Sequence, residues 1–302
     1  MILLTGATGT VGRLVLERLA HRFPVRILVR DPAAVAALAA STAVQLAVGN
    51  FEDPTSLATA MTGVHAALII TAAPTCPDHD IRLVEAARSA GVQHLVKLSA
   101  LAVTEPRAND LITRWQRVNE ELIRGSGMTW TLLRPRSFMS NTLGWARSIQ
   151  EEGVVRDLYG TAGNATIDPR DIADVAVQSL TDPRHIGQAY ALTGPEVVSA
   201  VEQTRILSEI LDRPLNFEEL TPEQARHAHV SRYLLPIAEA LIESADRRRR
   251  GEKAHTDDTV ARLLNRPART YRDWARDHVG AFDGRGLGGG MPAQTADRAG
   301  GR

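Results

Sequence analysis

Short runs of apolar residues alternate along the chain with longer stretches in which apolar positions recur every three or four residues. The runs are 2–4, 25–29, 44–48, 64–70, 92–98 and 129–133. Each predicts a strand, and residues 2–4 and 64–70 read as buried, because a strand with one wet face would alternate apolar and polar residues. Val11, Leu14, Val15 and Leu19 mark a helical face after the first run, and Pro24 closes that unit. An Ala-rich stretch before residue 44 reads as helical. Asp53-Pro54 predicts a helix start, with Asp as N-cap and Pro in the first turn. A helix from about Asp78 closes at Gly91, and another over 112–123 stops at Gly125-Ser126-Gly127. Six apolar strands alternating with helices predict an α/β fold, a Rossmann-type doubly wound parallel sheet.

Past Pro135 the order becomes mixed. The pattern predicts a helix over 137–150, a strand-like 165–167, a helix over 172–180 opened by Asp168-Pro169, and a short strand at 189–192. Helices then dominate, over 199–211, 222–244, 257–264 and 271–279. Residues 1–150 are therefore expected to form the dinucleotide-binding domain, with 165–193 returning to it. Residues 195–282 are expected to form a smaller, mainly helical cap. The Gly-rich tail, 283–302, has too little apolar surface to fold and is expected to be disordered.

Composition narrows the functional classes. The 302 residues carry formal net charge zero, which favours neither direct nucleic-acid binding nor an anionic membrane surface. The Arg247–Arg250 run reads as a solvated helix end that complements the helix dipole. One cysteine, Cys76, fits a reducing, cytoplasmic setting. Residues 2–4 read as a buried strand rather than a signal peptide, and no apolar stretch approaches the roughly 20 residues that span a bilayer. His227 and His229 lie two apart on different helix faces with no Cys–His cluster beside them, so no metal site is expected. The sequence leaves open whether the chain forms an oligomer.

The first chemistry-bearing motif is Gly6-Ala-Thr8-Gly9-Thr10-Val11-Gly12, between the first strand and the first helix. A helix N-terminus presents unpaired backbone N–H groups and a partial positive charge, which suits a pyrophosphate. The spacing differs from G-x-G-x-x-G, but the strand–loop–helix context is the one such a loop requires. The second strand ends at Val29-Arg30-Asp31, with arginine where an NAD-specific site would carry a carboxylate for the ribose hydroxyl. Arg30, with Arg13 as a second guanidinium, suits a 2′-phosphate, so NADP(H) is expected over NAD(H). Asp31 is either the cap of the next helix or a reader of the ribose. Asn50 and Phe51 follow the third strand and are candidates to border the adenine. Thr71 and Ala72 follow the fourth, and Lys97 and Ser99 end the fifth, on the nicotinamide side. For Lys97 the alternative is a structural ion pair, and for Ser99 a strand-end turn. Phe138, Met139, Asn141 and Trp145 are candidates for an apolar substrate wall with one polar anchor. Core packing is the alternative for them.

A series of colinear stretches adds to this. It comprises Gly6 to Gly12, Leu28 to Asp31, Gly49 to Phe51 with Asp53-Pro54, Ala90 to Val92 and Lys97 to Ala100. It continues through Glu120 to Leu122, Ser126-Gly127, Trp130 to Pro135, Phe138 with Asn141, Ile167-Asp168, Arg170 to Ala173 and Leu192 to Pro195. Together they resemble the NmrA-like branch of the atypical short-chain dehydrogenases/reductases, of the quinone oxidoreductase type 2-like kind, up to about residue 282. The resemblance implies NAD(P)H binding, and either reduction of a quinone or similar acceptor or redox sensing without turnover. Gln116 stands where the family's reductases often carry His, and Asn50 where the family carries Asp.

No catalytic acid is identifiable. Lys97 and Lys253 are the only lysines; Gln93 and Arg249 stand four residues before them, so the Tyr-x-x-x-Lys pair is absent. Tyr159 is a further candidate proton donor. An NADPH-dependent reductase acting on a small quinoid or aromatic acceptor needs little proton transfer from the protein and is the favoured expectation. An NADP(H)-sensing binding protein is the main alternative. An isomerase or dehydratase that keeps its cofactor is the third.

Overall fold

The computed structural model describes residues 1–35 and 44–284. Its strands, in chain order, are β1 (Ile2–Leu4), β2 (Val25–Val29), β3 (Val44–Val48), β4 (Ala66–Ile69), β5 (His94–Leu98), β6 (Thr129–Pro135), β7 (Val154–Asp157), β8 (Gln188–Leu192) and β9 (Asn216–Glu219). Seven of these pair, all in parallel, in the order β3-β2-β1-β4-β5-β6-β8. The chain builds outward from β1 to β3, returns to lay β4 on the other flank of β1, and continues to β8. This is the doubly wound arrangement expected from the apolar runs. It leaves a crevice beyond the carboxyl ends of β1 and β4, where the winding reverses.

Helices cover both faces of the sheet, which is why β1 and β4 are apolar throughout. Ile2 and Leu4 belong to a core with Val15 and Leu16 of the Thr10–Leu19 helix and Ile172 and Ala176 of the Pro169–Thr181 helix. Leu3, on the opposite face, belongs to a second core with Leu57 and Met61 of the Pro54–Met61 helix and Leu83 of the Asp78–Ser89 helix. Asp53 and Asp168 cap their helices as expected, accepting from the N–H groups of Thr55 and Arg170. A third core contains Leu207, Tyr271, Trp274 and Phe282, and it draws in Met139, Ile149 and Val155. Val260 and Ala268, within the expected 195–282 cap, pack instead in the first core beside the sheet.

Several elements differ from their predictions. Residues 137–150 form a 3-10 segment, Met139–Trp145, followed by the Ala146–Glu152 helix. Ser140, Asn141, Thr142 and Gly144 are weak helix formers, and the Thr142 hydroxyl bonds back to the Met139 carbonyl at 2.8 Å. The predicted strand at 165–167 reduces to a bridge between Phe138 and Ile167. The predicted helix over 222–244 is two helices, Pro222–Val230 and Leu235–Arg249, and Pro236 fits the first turn of the second. β7 and β9 form a small parallel sheet that the apolar pattern does not predict. The Ala-rich helix expected before β3 lies, past Val35, outside the described residues, and so does the tail beyond Gly284. Among the described residues no helix is long and apolar enough to cross a membrane.

Candidate cofactor and substrate site

Parallel strands end on one edge, and the strand order of the sheet sets the order of residues along it. Asn50, Arg30, the Gly6–Gly12 loop, Thr71 with Ala72, Ser99, and Arg136 to Phe138 therefore fall in one row, in that spatial order. The topology brings together residues spread over more than a hundred positions of chain.

The loop at the centre of the row is shaped by its glycines. Gly6 has φ +65, and a Cβ there would stand 3.0 Å from the Ile70 side chain. A Cβ on Gly12 would lie 2.1 Å from the Gly6 carbonyl oxygen, so the first helical turn packs directly on the loop. Gly9 is exposed and caps the helix with no side-chain hydrogen bond. The first-turn N–H groups of Thr10, Val11 and Gly12 therefore have no intrahelical acceptor and carry the positive end of the helix dipole. Thr5 fixes the loop to β4, its hydroxyl donating to the Ile70 carbonyl at 2.9 Å and accepting the Ile70 N–H at 2.7 Å. A backbone cradle that any side chain would fill, lined with unspent N–H groups, fits the pyrophosphate of a dinucleotide. Thr8 is exposed beside it.

Arg30 is exposed at the end of β2, and Arg13 lies in the first helix with Glu17 at 3.9 Å. Asp31 accepts the Ala33 N–H at 2.8 Å, which favours the cap over the ribose reader. Asn50 is a turn former: its Oδ1 accepts the N–H groups of Glu52 at 2.7 Å and Asp53 at 3.0 Å. Phe51 is half-buried, edge-on to His79 with ring centroids 5.5 Å apart.

Beyond the loop the row turns inward. Lys97 is fully buried; its Nζ donates to Thr71 Oγ1 at 2.8 Å and pairs with Asp80 at 3.1 Å. Thr71 donates to Asp80 at 2.8 Å, and the Trp115 indole N–H reaches the other carboxylate oxygen at 3.2 Å. Burial pulls the Lys97 ammonium below its ordinary pKa, and Asp80 counters this in part. Of the two roles weighed for Lys97, this geometry favours the structural ion pair. Ser99 is also buried, donating to Glu120 at 2.7 Å, and Arg134 grips the same carboxylate with two hydrogen bonds at 2.9 and 2.6 Å. Burial pushes Glu120 up, but the bonds from Arg134 and Ser99 outweigh it and hold the carboxyl below its ordinary range. Gln116 Oε1 and Asn119 Nδ2, on the same helix face, are buried without a hydrogen-bond partner. Ala72 is exposed at the rim.

The expected substrate wall divides. Phe138 is half-buried against the first core and Asn141 is exposed, whereas Met139 lies in the cap core and Trp145 leans on it. Tyr159 donates its hydroxyl to Asp246 at 2.9 Å, a bond that raises the phenol pKa and makes it a poorer proton donor. The network residues Asp80, Trp115, Glu120 and Arg134 were not among the sequence candidates. Their signal was available on the helices: Asp80 shares a face with Leu83, Val84 and Ala87, and Glu120 shares one with Trp115 and Ile123. A carboxylate at a core position calls for a buried partner.

A family model described as NAD(P)H-binding matches residues 6–183. The chain is 52% identical, over 93% of its length and 99% of the relative, to a (4-alkanoyl-5-oxo-2,5-dihydrofuran-3-yl)methyl phosphate reductase of Streptomyces griseus. It is 37% identical to an NAD(P)H azoreductase of Xenophilus azovorans, over 93% of the chain and 99% of that protein. Among solved structures, an NADPH-dependent quinone oxidoreductase from Escherichia coli complexed with NADPH superposes with a TM-score of 0.81. That match has 26% identity and covers 92% of this chain and 99% of the other.

Proposed function

The chain belongs to the NAD(P)H-binding family, in its NmrA-like atypical short-chain dehydrogenase/reductase branch, and we propose that it uses NADPH to reduce an electron-poor double bond of a small phosphate-bearing acceptor. It is an NAD(P)H-dependent oxidoreductase. The observation that carries the acceptor class is the end-to-end 52% identity with the furanone phosphate reductase. The acceptor of that relative has a ring double bond conjugated to two carbonyls, with a phosphorylated methyl group on the carbon farther from them. This reading replaces the quinoid or aromatic acceptor expected from sequence with a different conjugated electrophile.

The cofactor, when bound, supplies the hydride and becomes NADP+. Adding that hydride to the carbon bearing the methylene moves the double-bond electrons onto two carbonyl oxygens, and a proton from water completes the neighbouring carbon. So stabilised an enolate asks for no Tyr–Lys pair, and the sequence contains none. What the chain supplies is position. Gly6, Thr8, Gly9, Thr10, Val11 and Gly12 hold the pyrophosphate, and Arg30, assisted by Arg13, holds the 2′-phosphate. Asn50 and Phe51 shape the adenine end. Thr71, Ala72 and Ser99 border the nicotinamide over the rigid Lys97–Asp80 network, and Phe138 and Asn141 face the acceptor.

The test follows NADPH absorbance with a panel containing the butenolide phosphate, quinones and azo dyes. Saturable oxidation, fastest with the butenolide, is expected. Arg30→Ala should weaken NADPH by about tenfold or more and leave NADH nearly unchanged. Tight NADPH binding with no oxidation of any acceptor would instead support the sensing alternative.

A further inference from the structure

The row of strand ends continues past Ser99 to Arg136, the residue directly after β6. Arg136 is 7% exposed and is ion-paired with Glu105. Arg247, which the sequence pattern assigns to a solvated run, is 4% exposed. It turns inward to Glu105 at 2.6 Å and Asp110 at 2.7 Å. Lys253 is buried beside them, donating to Ser244 Oγ at 2.5 Å, and among the described residues it has no carboxylate within ion-pairing distance. Arg136 and Arg247 thus share Glu105 and Asp110, with Glu252 a further carboxylate whose charge acts on Arg247, and Asp110 already accepts the backbone N–H and hydroxyl of Thr113. The Nε groups of Arg136 and Arg247 are buried with no hydrogen-bond partner.

A strut that merely joined cap to sheet would gain from balanced charge and satisfied donors, since an uncompensated buried ion is strongly destabilising. Burial and the charges of Arg247, Arg136 and Arg248, opposed by Glu105, push the Lys253 ammonium down to about 7. Arg248 is itself paired with Asp157 at 3.1 Å. A buried amine with no carboxylate partner among the described residues, beside two guanidinium N–H donors that nothing accepts, describes a site for an anion. A cleft of about 220 Å³, lined by Arg107, Asn109, Glu243, Asp246, Arg247 and Arg250, opens on the Arg247 side of the cluster.

The geometry points to an anion subsite at the end of β6, formed by Arg136, Arg247 and Lys253, that takes the phosphate of the acceptor. The assignment rests on the acceptor class proposed above. In that acceptor the phosphorus is three bonds from the carbon that receives hydride. Its binding groups must then lie beside the nicotinamide, and β6 neighbours β5, whose end carries Ser99. The subsite lies several strands away from Arg30, so the cofactor's 2′-phosphate and the acceptor's phosphate lie toward opposite ends of the row.

The experiment compares the butenolide phosphate with its free alcohol, for the wild type and for Lys253→Met. Methionine keeps the bulk of the side chain without its charge, so the variant is expected to fold. The wild type should prefer the phosphate ester, and Lys253→Met should raise KM for the ester by about tenfold or more with kcat/KM for the alcohol unchanged. Equal use of ester and alcohol by the wild type, or full preference in the variant, would overturn the subsite. Should neither compound be reduced, the acceptor class itself fails. The site is then read separately, as thermal protection by inorganic phosphate of protein saturated with NADPH. Protection of the wild type and not of Lys253→Met sustains an anion site; protection of both or of neither refutes it. Phosphate protection without ester preference would refute the assignment to the acceptor.

Discussion

At the end of β1, anion-binding capacity comes from the backbone: the glycine loop opens onto a helix terminus whose Thr10, Val11 and Gly12 N–H groups have no intrahelical acceptor, and the loop from Gly6 to Gly12 contains no charged side chain. At the end of β6 it comes from buried side chains, Arg136 and Arg247 held by Glu105 and Asp110, and Lys253 held by the Ser244 hydroxyl. The first device is made by seven consecutive residues. The second is assembled from segments more than a hundred residues apart. Backbone donors need no counter-charge, so the loop is limited only by shape. Buried ions need partners, so the cluster is limited by charge balance. Each region should therefore break in its own way.

Glu105→Gln is the harshest test of the cluster, because Glu105 is the one carboxylate shared by both arginines. The amide cannot balance either charge, and stability should fall by about 3–5 kcal/mol. NADPH affinity, measured on the folded fraction, should stay unchanged, because the glycine loop is remote along the row. Urea denaturation checks the first outcome and calorimetric titration the second. A loss below about 1 kcal/mol would mean that the guanidiniums are effectively solvated.

Shape is tested by two alanines in the loop. Gly12→Ala forces a Cβ to within 2.1 Å of a backbone oxygen and should cost about 1–3 kcal/mol of stability as well as most of the cofactor affinity. At Gly9 the nearest atom to an added Cβ is 3.3 Å away. Gly9→Ala should then keep nearly wild-type Tm and lose affinity alone, because its methyl group projects into the cradle. Thermal unfolding with and without NADPH separates the two. Equal loss of stability in both would mean that the loop is held by something other than its close approach to the helix.

The same contrast decides what could be read from the sequence. Apolar strand runs, the glycine spacing, and the Asp53 and Asp168 caps are local signals, and the structure carries them nearly unchanged. Pro236 also announced a second helix start, although the apolar periodicity runs across 222–244 and hides the break. The β7–β9 sheet left no such mark: its strands are four residues each, and Arg156 and Glu218 pair at 2.6 Å in a pattern that reads as solvated loop. Arg247 likewise sits in a run of four arginines, and only the approach of Glu105 and Asp110 from the β5 loop sends it inward. Long-range charge pairing has no periodicity to betray it. A polar residue on an otherwise buried helix face, such as Asp80 or Glu120, is the nearest thing to a warning.

A pH test belongs to the cluster alone, since the loop from Gly6 to Gly12 has nothing to titrate. Lys253 faces Arg136, Arg247 and Arg248, with Glu105 as its opposing charge and the Ser244 hydroxyl as its hydrogen-bond acceptor. Its folded-state pKa of about 7 lies well below the ordinary 10.5. Between those values the unfolded chain binds the extra proton and the folded one does not, so folding stability should rise as pH rises from about 7 to 10. Below about 7 both states are protonated and Lys253 contributes no slope. Lys253→Met should flatten this rise, whereas Gly9→Ala should reproduce the wild-type curve. Denaturation midpoints taken across that window give the answer directly. Identical slopes in wild type and Lys253→Met would mean that Lys253 keeps its proton throughout, and that the two ends of the row differ in shape but not in charge balance.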